Sequence, residues 1–357
     1  MGLVYVDVTA EHIPAIRKLL LRYWERNWTN DVADRFLQWR VLERPEWDAV
    51  AAFDGDDCVA LIDSFIRPYF LAGQPVRVRE TCDWICLPDY RPFVGLRVLQ
   101  SMMKRPEPII TTTSSEANNT LLTGLKWRTV GELQQCVFPI GAGAIVKSAA
   151  QRLNRELGAV PTFTGRLLPF RFRKPSRISP PEQAASFSEI QTAEIWPDTA
   201  PPNDAFALCA LADERDIEWL RQAPDGEGEF LWLLFRIGEE PVGLSLSRLY
   251  QEGPYRGAKL LHLQSKRHDR ETYAWLASAT SHQLAERGAH WIDARFSSDI
   301  ILSALDDVGF MRMSSWPVYW WSNDRSDLDG DILASGMRGV EGLMPYPYLS
   351  ETVLHAA

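Results

Sequence analysis

The stretch Trp84-Ile-Cys-Leu-Pro-Asp-Tyr-Arg91, continued by Arg91-Pro-Phe-Val-Gly-Leu96, decides the fold. Residues 76–87 alternate in the period-2 manner of a strand, and residues 95–104 carry the spacing of a helix. A strand ends, the chain turns, and a helix begins with its first N–H groups unpaired and aimed at one point. Such a turn holds an anion through the orphan donors and the helix dipole. Gly95 lets the backbone approach closely, Arg91 and Arg97 add positive charge, and Pro92 lacks an N–H.

Outward from this turn the chain repeats itself. Asp34-Arg-Phe-Leu-Gln-Trp-Arg40 reads as a helix face, followed by Pro45, strand-like Val50-Ala-Ala-Phe53, a turn at Asp54-Gly55-Asp56 and a strand over residues 59–66. Downstream, Arg215-Asp-Ile-Glu-Trp-Leu-Arg221 is followed by Pro224, Trp232-Leu-Leu-Phe235, a turn at Gly238-Glu239-Glu240 and a strand over residues 242–249. Phe53 and Phe235 lie 182 residues apart; Gly55 and Gly238, Tyr90 and Tyr273, and Trp127 and Phe310 lie 183 apart. A period this long indicates duplicated domains and not a solenoid. The expected division is residues 1–140, a connecting helix and Pro/Arg-rich linker over 141–188, a second domain over 189–321, and a tail over 322–357. Two domains also suit 357 residues, more than one core usually serves.

Composition narrows the class. Apolar residues are 46% and charged residues 24%, which excludes disorder as the main state. The net charge of −9 argues against a nucleic-acid partner, which needs phosphate-neutralising surface. Cys58, Cys82, Cys86, Cys136 and Cys209 form no CxxC, the six histidines lack zinc-ligand spacing, and no metal is expected. No basic, apolar leader and no run of about 18 apolar residues is present, so the expectation is a cytoplasmic protein without integral membrane contact. The loop at residues 322–331 lacks the ligand spacing of an EF-hand, and Gly141-Ala-Gly143 lacks the lysine of a phosphate loop. Trp316, Tyr319, Trp320 and Trp321 alternate as core residues of a closing strand.

The order of elements, with Trp84-Ile-Cys-Leu-Pro-Asp-Tyr-Arg91, the single-glycine turn after it, and Asn118-Asn-Thr-Leu-Leu-Thr-Gly-Leu-Lys-Trp-Arg128, resembles the GCN5-related N-acetyltransferase (GNAT) superfamily. Trp39-Arg40…Pro45 and Gly124-Leu-Lys-Trp127 look like a branch found with bacterial polysaccharide genes. The resemblance implies an α/β chain of two tandem GNAT-like domains, each a twisted, mostly antiparallel mixed sheet flanked by helices. It implies acetyl-coenzyme A or another acyl-coenzyme A as donor, with its pyrophosphate at Arg91, Phe93, Val94, Gly95, Leu96, Arg97 and Asn118. In the second half Lys266, Arg267 and His268 stand at the helix start as an anion site without glycine, and Asp269 is a good N-cap. The acceptor is a small amine, an amino sugar or a glycan precursor, and a homodimer is left open. A Fem-like aminoacyl transferase and an inactive GNAT-fold scaffold are the alternatives.

The chemistry needs a base for the acceptor's proton and N–H donors for the thioester carbonyl. On the strand over 76–87, alternation groups Glu80 with Val78, Cys82, Trp84 and Cys86, and Asp83 with Thr81 and Ile85. Glu80 is therefore the expected base, its pKa raised by apolar surroundings, with Asp83 as second carboxylate. An offset of 182 places His262 opposite Glu80 as the base of the second half. The tyrosine acid that the resemblance implies falls at Leu122 and Leu305.

Overall fold

Helix α1 (Ile13–Tyr23) precedes a single π-type turn, Gln38–Leu42, and strands β2 (Trp47–Asp54), β3 (Asp57–Leu71) and β4 (Gln74–Cys86); β1 (Val4–Asp7) opens the chain. Then come α2 (Phe93–Met102), β5 (Ile109–Thr112), α3 (Glu116–Gly124) and β6 (Arg128–Pro139). The second half runs β7 (Ala185–Glu189), β8 (Leu208–Ala210), β9 (Glu229–Ile237), β10 (Glu240–Glu252), β11 (Tyr255–Ser265), α4 (Arg270–Glu286), β12 (Trp291–Phe296), α5 (Asp299–Val308), β13 (Met311–Trp321) and β14 (Ile332–Leu333). The computed structural model describes residues 2–23, 34–112 except 36, 45 and 92, 115–144 except 142, 174–190, 197–210 except 203, then 215, 219, 222, 229–322 except 253, and 328, 332 and 333. Beyond Ala144, the expected connecting helix over 144–157 lies outside the described residues, as does most of the basic linker.

Hydrophobic patterning explains the elements. In α2, Val94, Val98, Leu99 and Met102 form one stripe that packs on Val50, Ala52, Ile62 and Cys86. The turns at Gly55 and Gly238 carry positive φ, which glycine adopts without strain. β7 lies inside the expected linker, because Phe187 and its neighbours find an edge to pair with in β9.

The fourteen strands of the described residues belong to one sheet, in the order β1-β2-β3-β4-β5-β13-β6-β12-β11-β10-β9-β7, with β8 added along Tyr69–Leu71 of β3 and β14 on β8. The arrangement is mixed and mostly antiparallel; β4–β5, β11–β12 and β14–β8 are the parallel pairs. Exchanging β1–β6 with β7 and β9–β13 in turn leaves the main order reading the same from either end. The centre of this symmetry is the antiparallel pair β6–β13, where Gln134 faces Ser315. Each half therefore gives its last strand away: β13 completes β5, and β6 completes β12.

The sheet also curls upon itself. Ile16, Leu19, Trp39, Ala51, Leu61 and Ile85 share one buried core with Trp219, Trp232, Leu234, Leu244, Leu246 and Leu261. The indoles of Trp39 and Trp219 stack at 4.4 Å and 6°. Each Nε1–H donates to the other residue's carbonyl at 2.8 Å. We call the side of the sheet facing this core the inner face; α2, and α4 with α5, cover the outer one.

Because β5 and β12 are completed by strands from across the molecule, a chain cut between residues 144 and 174 should fold only when both pieces are present. Co-expressed pieces should co-purify with the circular dichroism of the intact chain, and each alone should be insoluble or lack a cooperative melt.

Candidate functional site

The parallel pair β4–β5 holds at two positions, Arg79 with Ile109 and Glu80 with Ile110. Beyond them β5 turns to β13, with Thr111 and Thr112 opposite Tyr319 and Val318. Among the described residues no strand pairs with that side of β4 from Thr81 to Cys86. The two strands part there and leave a gap, and near the start of α2 Gly95 packs on Cys86 from the outer face. At the mouth of the gap β4 bulges: Ile62 faces Trp84 and Ser64 faces Thr81, so Cys82 and Asp83 together oppose Asp63.

The bulge corrects the expected grouping of side chains. Simple alternation keeps Glu80, Cys82, Trp84 and Cys86 together. The extra residue sends Trp84 and Cys86 to the outer core under α2, while Cys82 and Ile85 pack into the inner one. Asp83 joins the inner face, where its Oδ2 pairs with Arg40 of the π-type turn.

Glu80 is 1% exposed, yet its surroundings are not the apolar ones expected. Its Oε1 accepts the Tyr69 hydroxyl and lies 3.3 Å from Arg67 Nη1. His262, on β11, also faces inward. Its Nε2 meets Gln264 Oε1 at 3.0 Å, and Gln264 Nε2 donates to Thr199 Oγ1 at 2.7 Å. Burial pushes His262 down to about 4, so its ring is neutral at pH 7. The structure thus brings Glu80, Asp83 and His262 to the shared inner face.

The structure also moves His262 relative to Glu80. Leu87 N–H closes the β3–β4 hairpin on Val59, and Lys266 N–H closes β10–β11 on Val242. The offset is 183 residues at the valines and 179 at the donors, because the second hairpin is four residues shorter. Counted from the closing bond, His262 stands where Asp83 stands in the first half, not Glu80. The second half has its own bulge, at Leu261, and its own gap beyond the Leu260–Ala294 pair.

On the outer face, α2 starts two residues before Gly95, so Gly95 lies within the helix and not in a loop. Its carbonyl accepts Trp84 Nε1–H at 3.1 Å, and a Cβ there would come within 3.3 Å of Cys86 Cβ. The glycine serves close packing of α2 on β4. Phe93 is 75% exposed at the helix start, Val94 is buried and Leu96 half-buried. Arg91 Nε donates to Cys86 O at 2.9 Å, and the Arg97 guanidinium lies 5.8 Å from the Tyr5 ring centre. Asn118 donates its N–H to the N-cap Ser115 at 3.5 Å, at the head of α3.

The second helix start is built differently. Asp269 caps α4, accepting Thr272 N–H at 2.8 Å and its hydroxyl at 2.9 Å. Lys266 pairs with Glu240, Arg267 with Glu182, and His268 packs edge-on against Phe206. These three side chains do not converge on one point.

Other residues of the site went unmarked in the sequence. Arg40, Arg44, Asp63, Arg67 and Tyr69 all lie buried on the inner face. The Arg44 guanidinium lies 3.3 Å over Phe65 and 4.4 Å over Trp219. Asp63 was legible as the lone carboxylate in Ala60-Leu-Ile-Asp-Ser-Phe-Ile66, and Arg40 and Arg44 flank the repeated Trp39 segment. Burial raises the thiols: Cys58, Cys136 and Cys209 stand at about 12 and Cys82 is raised as well. Cys82, beside the gap, is therefore no thiolate nucleophile at neutral pH.

Two outcomes follow from this geometry. Gly95→Val adds branched atoms against Cys86 and Trp84; overpacking of this kind costs about 1–3 kcal/mol, to be read as a lower urea midpoint. His262 is held below its ordinary value of 6.5, so the unfolded chain takes up its proton first as the pH falls. Stability is whole above about pH 6.5 and declines toward pH 4, by up to about 3 kcal/mol. Urea titrations from pH 7 to 4 should show this decline, and His262→Gln should flatten it.

No family model matches the chain, and none of the curated proteins matches it significantly. Solved structures do. A GCN5-related N-acetyltransferase from Anabaena variabilis superposes with a TM-score of 0.57 at 9% identity, over 89% of this chain and 72% of that one. Saccharomyces cerevisiae N-myristoyltransferase with bound myristoyl-CoA gives 0.59 at 10%, over 92% and 86%. A GCN5-related N-acetyltransferase from Kribbella flavida gives 0.50 at 13%, over 89% and 71%. Identities this low carry the architecture and no more. Together with the mixed sheet, the bulged strand and its parting from its parallel neighbour, they give the chain the fold of the GCN5-related N-acetyltransferase superfamily.

Proposed function

We propose that the chain is an acyl-coenzyme-A-dependent N- or O-acyltransferase, a tandem duplication whose working cleft lies in the first half. The observation that carries this reading is the gap between β4 and β5, opening at the bulge, with Gly95 near the start of α2 packed on Cys86. A strand edge that no described strand pairs with suits an extended amide-bearing arm, which pairs with it as an added strand would. The N–H groups of Phe93, Val94 and Gly95 at the helix start, with Arg91 and Arg97 beside them, suit the pyrophosphate. The gap joins the two faces, so the donor lies outside and its thioester reaches the inner face at the bulge.

The first half is favoured because the second has spent its donors. Asp269 accepts the N–H of Thr272 in the first turn of α4, and Ser265 Oγ accepts Arg267 N–H at 3.0 Å. The acyltransferase structures that the chain resembles support this class of reaction. An acetyl donor, an amino sugar, glycan precursor or small amine as acceptor, and a cytoplasmic setting complete the reading.

Transfer is direct. The acceptor nitrogen or oxygen attacks the thioester carbon, the C–S bond breaks, and the thiolate takes its proton from solvent. The acceptor's own proton goes to a carboxylate. We assign this role to Asp83, which sits on the bulge itself; Glu80 is closed in by Tyr69 and Arg67 and supports the charge of the inner face. Arg40 pairs with Asp83 and holds its carboxylate in place on the inner face.

Titration calorimetry with acetyl-coenzyme A should show binding. Arg97→Glu should weaken it roughly tenfold, about 1.4 kcal/mol. Asp83→Asn should slow thiol release in the presence of glucosamine by roughly 10²-fold or more while leaving donor binding intact. Glu80→Gln should slow it less. Equal affinity in Arg97→Glu would move the donor out of the first half, and undiminished turnover in Asp83→Asn would remove it as base.

A further inference from the structure

Asp63 is 3% exposed, on the inner face of β3, directly across from the bulge. Its Oδ1 accepts the backbone N–H of Asp83 at 2.7 Å, and its Oδ2 accepts Trp47 Nε1–H at 3.2 Å. The bulge sets two residues against one, so part of the backbone of Cys82–Asp83 has no ladder partner on β3. The Asp63 side chain reaches across the pair and supplies that partner. Trp47, on β2, fixes the carboxylate from the other side.

The second half shows what the fold needs without this group. Counted from the hairpin-closing bonds, Leu246 holds the place of Asp63, and the bulge at Leu261 forms with a purely apolar residue opposite. Folding a bulged hairpin of this kind therefore does not need a carboxylate. Burying one is costly unless its lone pairs are engaged. In the first half the cost is borne where β4 leaves β5, and the bond goes to the backbone atom that sets the direction of the strand into the gap.

We propose that Asp63 is a positioning residue: it pins the β4 bulge and so fixes the width of the gap and the aim of Asp83. This rests on the reading of that gap as the donor cleft, but the pin itself can be tested apart from it. Amide hydrogen exchange, resolved to residues 81–85, should show Asp83 protected in the native chain. Asp63→Leu, the side chain of the second half, should keep the melting temperature within a few degrees, raise exchange at Asp83 by at least tenfold, and weaken acetyl-coenzyme A binding several-fold. Asp63→Asn keeps an acceptor oxygen and should restore both protection and affinity. Unchanged exchange in Asp63→Leu would overturn the pin. Faster exchange with unchanged affinity would overturn its role in shaping the gap. If the native chain itself fails to bind acetyl-coenzyme A, the donor reading falls, and the exchange result alone decides whether Asp63 holds the bulge. If Asp63→Leu does not fold, Trp47→Phe, which frees the carboxylate on one side, should give partial loss of Asp83 protection; full protection there would mean that other contacts hold the strand.

Discussion

The pairing of β6 with β13 is the constraint on which the molecule depends. Each strand belongs by chain order to one half and by hydrogen bonding to both. The exchange fuses two sheets into one and fixes how the halves face each other. Curling then brings the inner faces together, where the Trp39–Trp219 stack and its two reciprocal bonds close the seam. A stacked indole pair adds about 0.5–1.5 kcal/mol beyond the area it buries. Its larger effect is geometric, because it holds the Arg40 and Arg44 segment against the bulge.

The two halves share a strand order and differ in their polar groups. In the first, the bulge is polar, with Asp63, Asp83 and Arg40 around it. In the second, Asp269 fills the helix start, Leu246 replaces the carboxylate, and the inward histidine is neutral and tied to Gln264. Both gaps persist because they follow from parallel strands that part. What differs is the set of polar groups beside each gap.

Much of this was legible in the sequence. Alternation and helical spacing placed the centres of β2, β3, β4 and α2, since each carries a one-sided apolar pattern, while β3 runs five residues past its expected end at residue 66. The N-cap at Asp269 was readable from its chemistry alone. The bulge was not, because one inserted residue leaves composition and local hydrophobicity unchanged while reversing the faces of Trp84 and Cys86. For the same reason Glu80 does not match His262: the second hairpin is four residues shorter between its closing bonds, with a turn of the same length, and this shifts the register. The ion pairs of Glu80 and Asp83 join residues far apart in the chain, and no local pattern announces them.

The strand exchange has a consequence during synthesis. β6 is made long before β12 needs it, but β5 ends at Thr112 and its partner β13 starts only at Met311. At roughly 5–20 residues per second the outer edge of β5 waits on the order of 10–40 s for that partner. An unpaired strand edge invites pairing with other chains. Ile109 and Ile110, wholly buried once β13 arrives, stand on that edge. The first half of the nascent chain is thus sticky for as long as the second remains unmade, and yield should respond to translation speed downstream of residue 112 more than upstream of it.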